Sequence, residues 1–264
     1  MPNIFIIFSF ILGAIIGSFL NVVALRFNTG MTLKGRSKCF SCGKNLQWHE
    51  LIPLVSFIFQ GGECKNCKSK ISWQYPIIEA VSGIIFVLIF YFYPPLDMVS
   101  AINTVFYLFI TCLLLVITVY DVRHKIIPDS LVYTFDLIAL AKLFIILDQN
   151  SGISFGIPTT LALLAGPILA LPFALFWLVS RGEWMGLGDA KLVLGIGWVL
   201  GLTLGASSVI LSFWIASVLG ILWMAIILRK YKKRYEMPFG PYLILGMYIV
   251  LFTGIKILDL TYLL

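Results

Sequence analysis

The chain has 264 residues, of which 60% are hydrophobic and 12% charged, with a formal net charge of +7. A soluble domain carries about 25% charged residues, so this chain has too few polar side chains to cover a water-facing surface, a need that lipid removes. The positive balance does not point to a nucleic-acid partner, because the basic residues follow the pattern of membrane loops instead.

In chain order, the first element is an uncharged run of 23 residues, Asn3 to Leu25. No Lys or Arg precedes it and no small-residue cleavage site closes it, so it reads as a span and not as a cleaved signal peptide. Residues 26–75 are the one sizeable polar stretch. They hold Cys39-Phe40-Ser41-Cys42 and, after 21 intervening residues, Cys64-Lys65-Asn66-Cys67. Two C-x-x-C pairs offer the four soft ligands that tetrahedral zinc takes. Gly43 allows a tight turn after the first pair, and Lys38, Lys44, Lys65 and Lys68 favour thiolates. Zinc is the expectation. Two disulfides or free thiols are the alternatives, and a reducing cytosol disfavours the disulfides. Cys112 falls in a later span and reads as packing.

A second apolar stretch covers Pro76–Leu96, with Glu79 in its first turn. The third runs uncharged from Val99 to Tyr120 and ends at Asp121. A carboxylate at a helix C-terminus opposes the helix dipole, so it implies another requirement at that place. Asp129 follows Pro128 and opens the fourth stretch, Ser130–Leu147, where it reads as an N-cap. Asp136 and Lys142 lie inside that stretch and, six residues apart, point in different directions. Ile153 to Ser180 is the fifth. Gly186-Leu187-Gly188-Asp189 precedes the uncharged run Leu192–Leu228, 37 residues long. As one helix that run would reach about 55 Å, against a hydrocarbon core of about 30 Å. It therefore holds two spans, with Gly201 to Gly205 as the turn. Phe239–Ile255 is the last, and Asp259 lies near its outer end.

The expected fold is an all-α polytopic membrane protein of about eight transmembrane helices with a small cytosolic zinc-ribbon-like insert. The division is 1–25 as a first helix, 26–75 as the Cys insert and 76–264 as a seven-helix domain. With the N-terminus outside, the inner segments 26–75, 121–129, 181–191 and 229–236 carry 17 of the 19 Lys and Arg residues. The outer loops near 91–98, 148–157 and 201–206 carry none. That is the positive-inside pattern of a multi-pass membrane protein with both termini outside. Arg229, Lys230, Lys232, Lys233 and Arg234 are also placed to meet anionic lipid headgroups.

On this topology the third span ends, and the sixth begins, at the cytosolic edge. Asp121 and Asp189 therefore arrive together. Two close carboxylates share a proton, one serving as general base toward water and the other as acid toward the leaving amine. That is aspartic peptidase chemistry. Glu79, near the insert, is a candidate lining residue. Gly186 and Gly188 let the backbone bend where a helix begins in a polar pocket. No G-x-S-x-G or H-E-x-x-H motif is present. A transporter or channel with a zinc-binding loop, working through Asp136 and Lys142, is the alternative.

The motifs in order resemble those of the bacterial type IV prepilin peptidases, the leader peptidase/N-methyltransferases. They are Gly17-Ser18-Phe19-Leu20-Asn21-Val22-Val23 with Arg26, both Cys pairs with Ile52-Pro53-Leu54 between them, Tyr75-Pro76 with Glu79, Asp121 with Ile127-Pro128-Asp129, Gly186 to Lys191, and Phe239-Gly240-Pro241. The insert departs from the family pattern at Trp48-His49-Glu50. The resemblance implies that Asp121 and Asp189 are catalytic, with Gly186, Gly188, Lys191, Glu79 and Asp129 in support. It implies prepilin and pseudopilin substrates, cut between a Gly and typically a Phe at the cytosolic membrane edge. It also implies N-methylation of the new terminus from S-adenosylmethionine.

Overall fold

The computed structural model describes residues 3–30, 32, 35–151, 157–227 and 237–258. The basic cluster Arg229, Lys230, Lys232, Lys233 and Arg234, part of the loop 148–157, and Asp259 lie outside the described residues. The elements are α1 (Asn3–Arg26), a 3-10 turn at Trp48–Glu50, α2 (Val55–Phe59), α3 (Gln74–Phe92), α4 (Met98–His124), α5 (Asp129–Ser151), α6 (Ile157–Ser180), α7 (Leu187–Ile227) and α8 (Gly240–Thr253). No strand is found among the described residues, only two isolated bridges. Five helices are long and apolar enough to cross a membrane: Ile4–Arg26, Gln74–Phe92, Met98–His124, Thr160–Ser180 and Leu187–Leu222, while Gly240–Thr253 is apolar but shorter. The expected turn in the longest run is confined to Gly201, whose φ of 75° and ψ of 180° interrupt an otherwise helical α7. Only glycine takes such angles without steric cost.

The chain forms two compact units, Met1–Val119 and Tyr120–Leu264. In the first, α1 packs along α3. Small residues let the two backbones approach, as lipid offers no hydrophobic drive for helix pairing. A Cβ on Gly13 would stand 2.7 Å from the Ser82 carbonyl oxygen, and the Ser82 hydroxyl donates to the Gly13 carbonyl at 2.7 Å. Asn21, fully buried, donates to the Tyr75 carbonyl at 3.4 Å and accepts from Gln74 at 3.2 Å. The resemblance motif around Gly17–Val23 is thereby bonded to the start of α3, which follows the insert.

In the second unit α7 is central and packs on α5, α6 and α8. Leu192, Val193 and Ile196 of α7, Val132 and Phe135 of α5, and Leu243, Met247 and Val250 of α8 form its core. Where α7 meets α6, a Cβ on Gly197 would stand 2.6 Å from the Gly166 Cα. This arrangement sets the N-terminal ends of α5, α7 and α8 around the last turn of α4.

Candidate active site and metal centre

Asp121 lies in the last turn of α4 and is buried. The chain leaves that helix through Lys125, which takes a left-handed φ of 57° and donates its N–H to the Asp121 carbonyl at 2.7 Å. Ile127 and Pro128 then lead into α5. Ile127 is buried and acts as a wedge between two other helix starts. A Cβ on Gly188, at the start of α7, would stand 2.8 Å from the Ile127 Cβ. A Cβ on Gly240, at the start of α8, would stand 3.3 Å from the Ile127 Cδ1 and 2.7 Å from Asp121 Oδ2. Only hydrogen leaves room at these two positions.

Gly240 also supplies a donor, since its N–H reaches Asp121 Oδ2 at 3.1 Å. The free N–H groups at a helix start favour a negative partner. The carboxylate at the unfavourable end of α4 therefore sits against the favourable end of α8. Phe239 fixes that start by packing on Phe213 at 4.9 Å between ring centroids.

Asp189 is the third residue of α7 and is buried. Its Oδ2 lies against Gly186, 3.7 Å from where a Cβ would stand, and its backbone N–H bonds the Gly186 carbonyl at 3.2 Å. Gly188, its neighbour in the chain, and Gly240, which bonds Asp121, both press on Ile127, so one side chain joins the backbone segments that hold the two aspartates. No ion pair to either carboxyl occurs among the described residues. The structure thus brings the two aspartates, Gly186 and Gly188 together, and adds two residues that the sequence reading did not assign to the site, Ile127 and Gly240. Their signal lay in the Ile-Pro-Asp and Phe-Gly-Pro motifs, read there only as points of resemblance.

The remaining candidates sit differently. Lys191 Nζ bonds Asp129 Oδ1 at 2.6 Å and stands 4.8 Å from the Tyr133 ring centroid, which ties α7 to α5. Asp129, expected as an N-cap, makes this ion pair at the start of α5. Asp136 is buried against Gly195, and neither of its carboxyl oxygens has a partner among the described residues. Glu79, in the first unit, is buried and accepts the Leu54 N–H at 2.8 Å, so it fastens the Ile52-Pro53-Leu54 segment of the insert to α3.

The insert is built from two matching knuckles. In the first, Cys39 N–H bonds the Lys44 carbonyl and Gly43 N–H bonds the Cys39 carbonyl, each at 2.9 Å. In the second, Cys64 N–H bonds Ser69 and Lys68 N–H bonds Cys64, again at 2.9 Å. Gly43 and Lys68 hold the same left-handed position, with φ of 70° and 58°. Bridges Lys38 to Asn45 and Glu63 to Lys70 close the two knuckles. All five cysteines are free of disulfides. The Sγ atoms of Cys39, Cys42, Cys64 and Cys67 lie within 4.8 Å of one another. Four sulfurs about 2.3 Å from a zinc ion stand about 3.8 Å apart, and Cys39 and Cys67 are 3.8 Å apart. Backbone N–H groups of Cys42 and Ser41 pull the Cys39 thiol down to about 6. The donor set therefore suits a soft divalent ion.

Comparison with known proteins bears on both features. Residues 11–93 match the model of the bacterial peptidase A24 N-terminal domain, and residues 108–225 match that of the type IV leader peptidase family. A prepilin leader peptidase/N-methyltransferase of Bacillus subtilis is 31% identical over 95% of this chain and 95% of its own length. The chain belongs to the type IV leader peptidase family. Family members of the same name from Pseudomonas aeruginosa and Neisseria gonorrhoeae are 29% and 30% identical, over 97% and 91% of this chain and 93% and 87% of their own. No solved structure matches. In this family setting, the segment holding Asp121 and Asp189 falls in the leader peptidase match, and the Cys cluster falls in the N-terminal one.

Proposed function

We propose that the chain is a multi-pass inner-membrane enzyme that removes the leader of prepilins and pseudopilins and N-methylates the new terminus. The observation that carries the peptidase half is the pair of buried carboxyls, Asp121 and Asp189, drawn to one place by Ile127, which the start of α7 at Gly188 and the start of α8 at Gly240 both touch. Two like charges in a poorly hydrated site do not both ionise cheaply, so the pair holds one proton between them. The ionised member takes a proton from water as the water attacks the scissile carbonyl. The protonated member gives its proton to the carbonyl oxygen, and on collapse a proton returns to the departing amine. Gly240 N–H keeps Asp121 oriented through the cycle.

The test is prepilin cleavage by the purified chain in liposomes, read by intact mass. Asp121→Asn and Asp189→Asn keep the shape and remove the acid–base pair, so each is expected to lose cleavage by at least about a thousandfold. Near-normal cleavage by either variant would refute the pair.

The finer assignments belong to the same reading. The insert and both aspartates face the cytosol, where the basic loops lie, and both termini face outward. Residues 1–25 and 76–264 span the membrane, and 26–75 serves the methylation half. The four cysteines hold zinc, which supplies folding energy to a segment with little core of its own. S-adenosylmethionine supplies the methyl group. Gly186, Gly188, Lys191 and Asp129 support the aspartates by placing the starts of α5 and α7. Glu79 supports the same enzyme by holding the insert through the Leu54 N–H. The transporter alternative, which rested on Asp136 and Lys142, finds no support among the relatives.

A further inference from the structure

The insert carries a cavity of about 900 Å³ beside the second knuckle, lined among others by Phe57, Gly62, Glu63, Lys70, Trp73 and Pro76. Small-molecule sites usually fall between about 300 and 1,000 Å³, so its size suits a nucleoside-bearing ligand. The walls differ in chemistry. Phe57 packs on Trp73 at 5.0 Å with a 58° tilt, so it steadies the indole without stacking over it. Trp73 remains 69% exposed. Glu63 and Lys70 stand opposite each other on the bridge that closes the Cys64 knuckle. Together the walls offer a broad aromatic face, one acid and one base.

From this geometry we infer that the cavity is the methyl-donor site, with Trp73 against the adenine or sulfonium and Lys70 and Glu63 at the amino-acid end. The inference rests on the methyltransferase half of the proposed function. S-adenosylmethionine carries a flat purine, a sulfonium cation and a zwitterionic amino acid. Aromatic faces hold purines by stacking and cations by their quadrupole. A carboxylate needs a base and an ammonium needs an acid, and the bridge presents both. A lipid chain would use the aromatic wall but has no call for the acid. The position agrees as well. Trp73 immediately precedes α3, and Pro76 of that helix also lines the cavity. The site therefore lies where a span meets its polar flank. The Cys cluster gains a second role here, since Cys64 and Cys67 set the loop between Glu63 and Lys70.

The test is calorimetric binding of S-adenosylhomocysteine to the full chain in nanodiscs. Wild type is expected to bind. Trp73→Leu is expected to weaken binding about tenfold or more, and Trp73→Phe to restore it to within a few-fold, as expected for stacking. Lys70→Glu, on an exposed residue, is expected to weaken it as well without disturbing the fold. If Trp73→Leu and Lys70→Glu both bind as wild type does, the donor is held elsewhere and this inference fails while methylation stands. If wild type binds no S-adenosylhomocysteine and its cleaved pilin carries no added methyl group, the methyltransferase reading fails with it. The cleavage in that sample shows that the enzyme was active.

Discussion

At the scale of single residues, Glu50 shows how a local departure from the family pattern is accommodated. Its carboxylate accepts the Gln47 N–H at 2.8 Å and the Lys44 ammonium at 3.4 Å. The backbone bond first and the Lys44 charge second hold its pKa below the usual carboxylate value. A folded value below the unfolded one means that Glu50 contributes fully above the ordinary carboxylate range. That contribution is lost as pH falls through the folded value. Glu50→Gln is expected to loosen the first knuckle by about 1–2 kcal/mol at neutral pH and to flatten its acid dependence. Hydrogen exchange at residues 39–44 against pH measures both. Lys68 is the complementary case. It occupies at φ 58° the position that Gly43 fills in the other knuckle. A left-handed non-glycine residue costs about 1–2 kcal/mol, so Lys68→Gly is expected to stabilise the second knuckle by about 0.5–1 kcal/mol once glycine's own entropy is counted. Slower exchange at Cys64 and Ser69 would show it.

At the scale of elements, the site is made by three helix starts converging on one helix end. The close approach at Gly188 and Gly240 has a cost that can be measured. A methyl group on Gly240 would strike Asp121 Oδ2 and Ile127, and one on Gly188 would strike Ile127. Displacing a reacting group by about 1 Å costs on the order of a hundredfold in rate. Gly240→Ala is therefore expected to lower cleavage by about that factor, mainly in kcat, with the protein still inserted. Wild-type kinetics for Gly240→Ala would mean that α8 can slide freely against the end of α4. The single break at Gly201 belongs to this scale too, because α7 must supply both Asp189 at its start and, past the break, Phe213 beneath the start of α8.

At the scale of the whole molecule, composition and charge distribution carry the expectations. If the basic loops face the cytosol, a membrane-impermeant thiol reagent should reach the insert in inverted vesicles and not in intact cells. With metal bound, Cys39, Cys42, Cys64 and Cys67 should react slowly. A chelator should speed their reaction and release about one zinc per chain. Labelling of these cysteines from outside intact cells would reverse the topology. Metal analysis without zinc under reducing conditions would remove the metal from the insert.

The sequence by itself determined the membrane character, the helical segments, the two C-x-x-C pairs and the two outstanding aspartates. Each is a local or compositional property: run length against bilayer thickness, ligand spacing, a carboxylate at the wrong end of a helix. The family motifs were legible in the same way, as short strings in order. What the strings do to one another was not. That Gly240 donates to Asp121, that Ile127 wedges between Gly188 and Gly240, that Lys191 pairs with Asp129 and that Glu79 grips the insert at Leu54 are all contacts between residues at least 25 positions apart. Spacing along a chain does not encode such partners. They follow from which small residues let helices approach and from where buried polar groups find donors, and only the folded packing decides that.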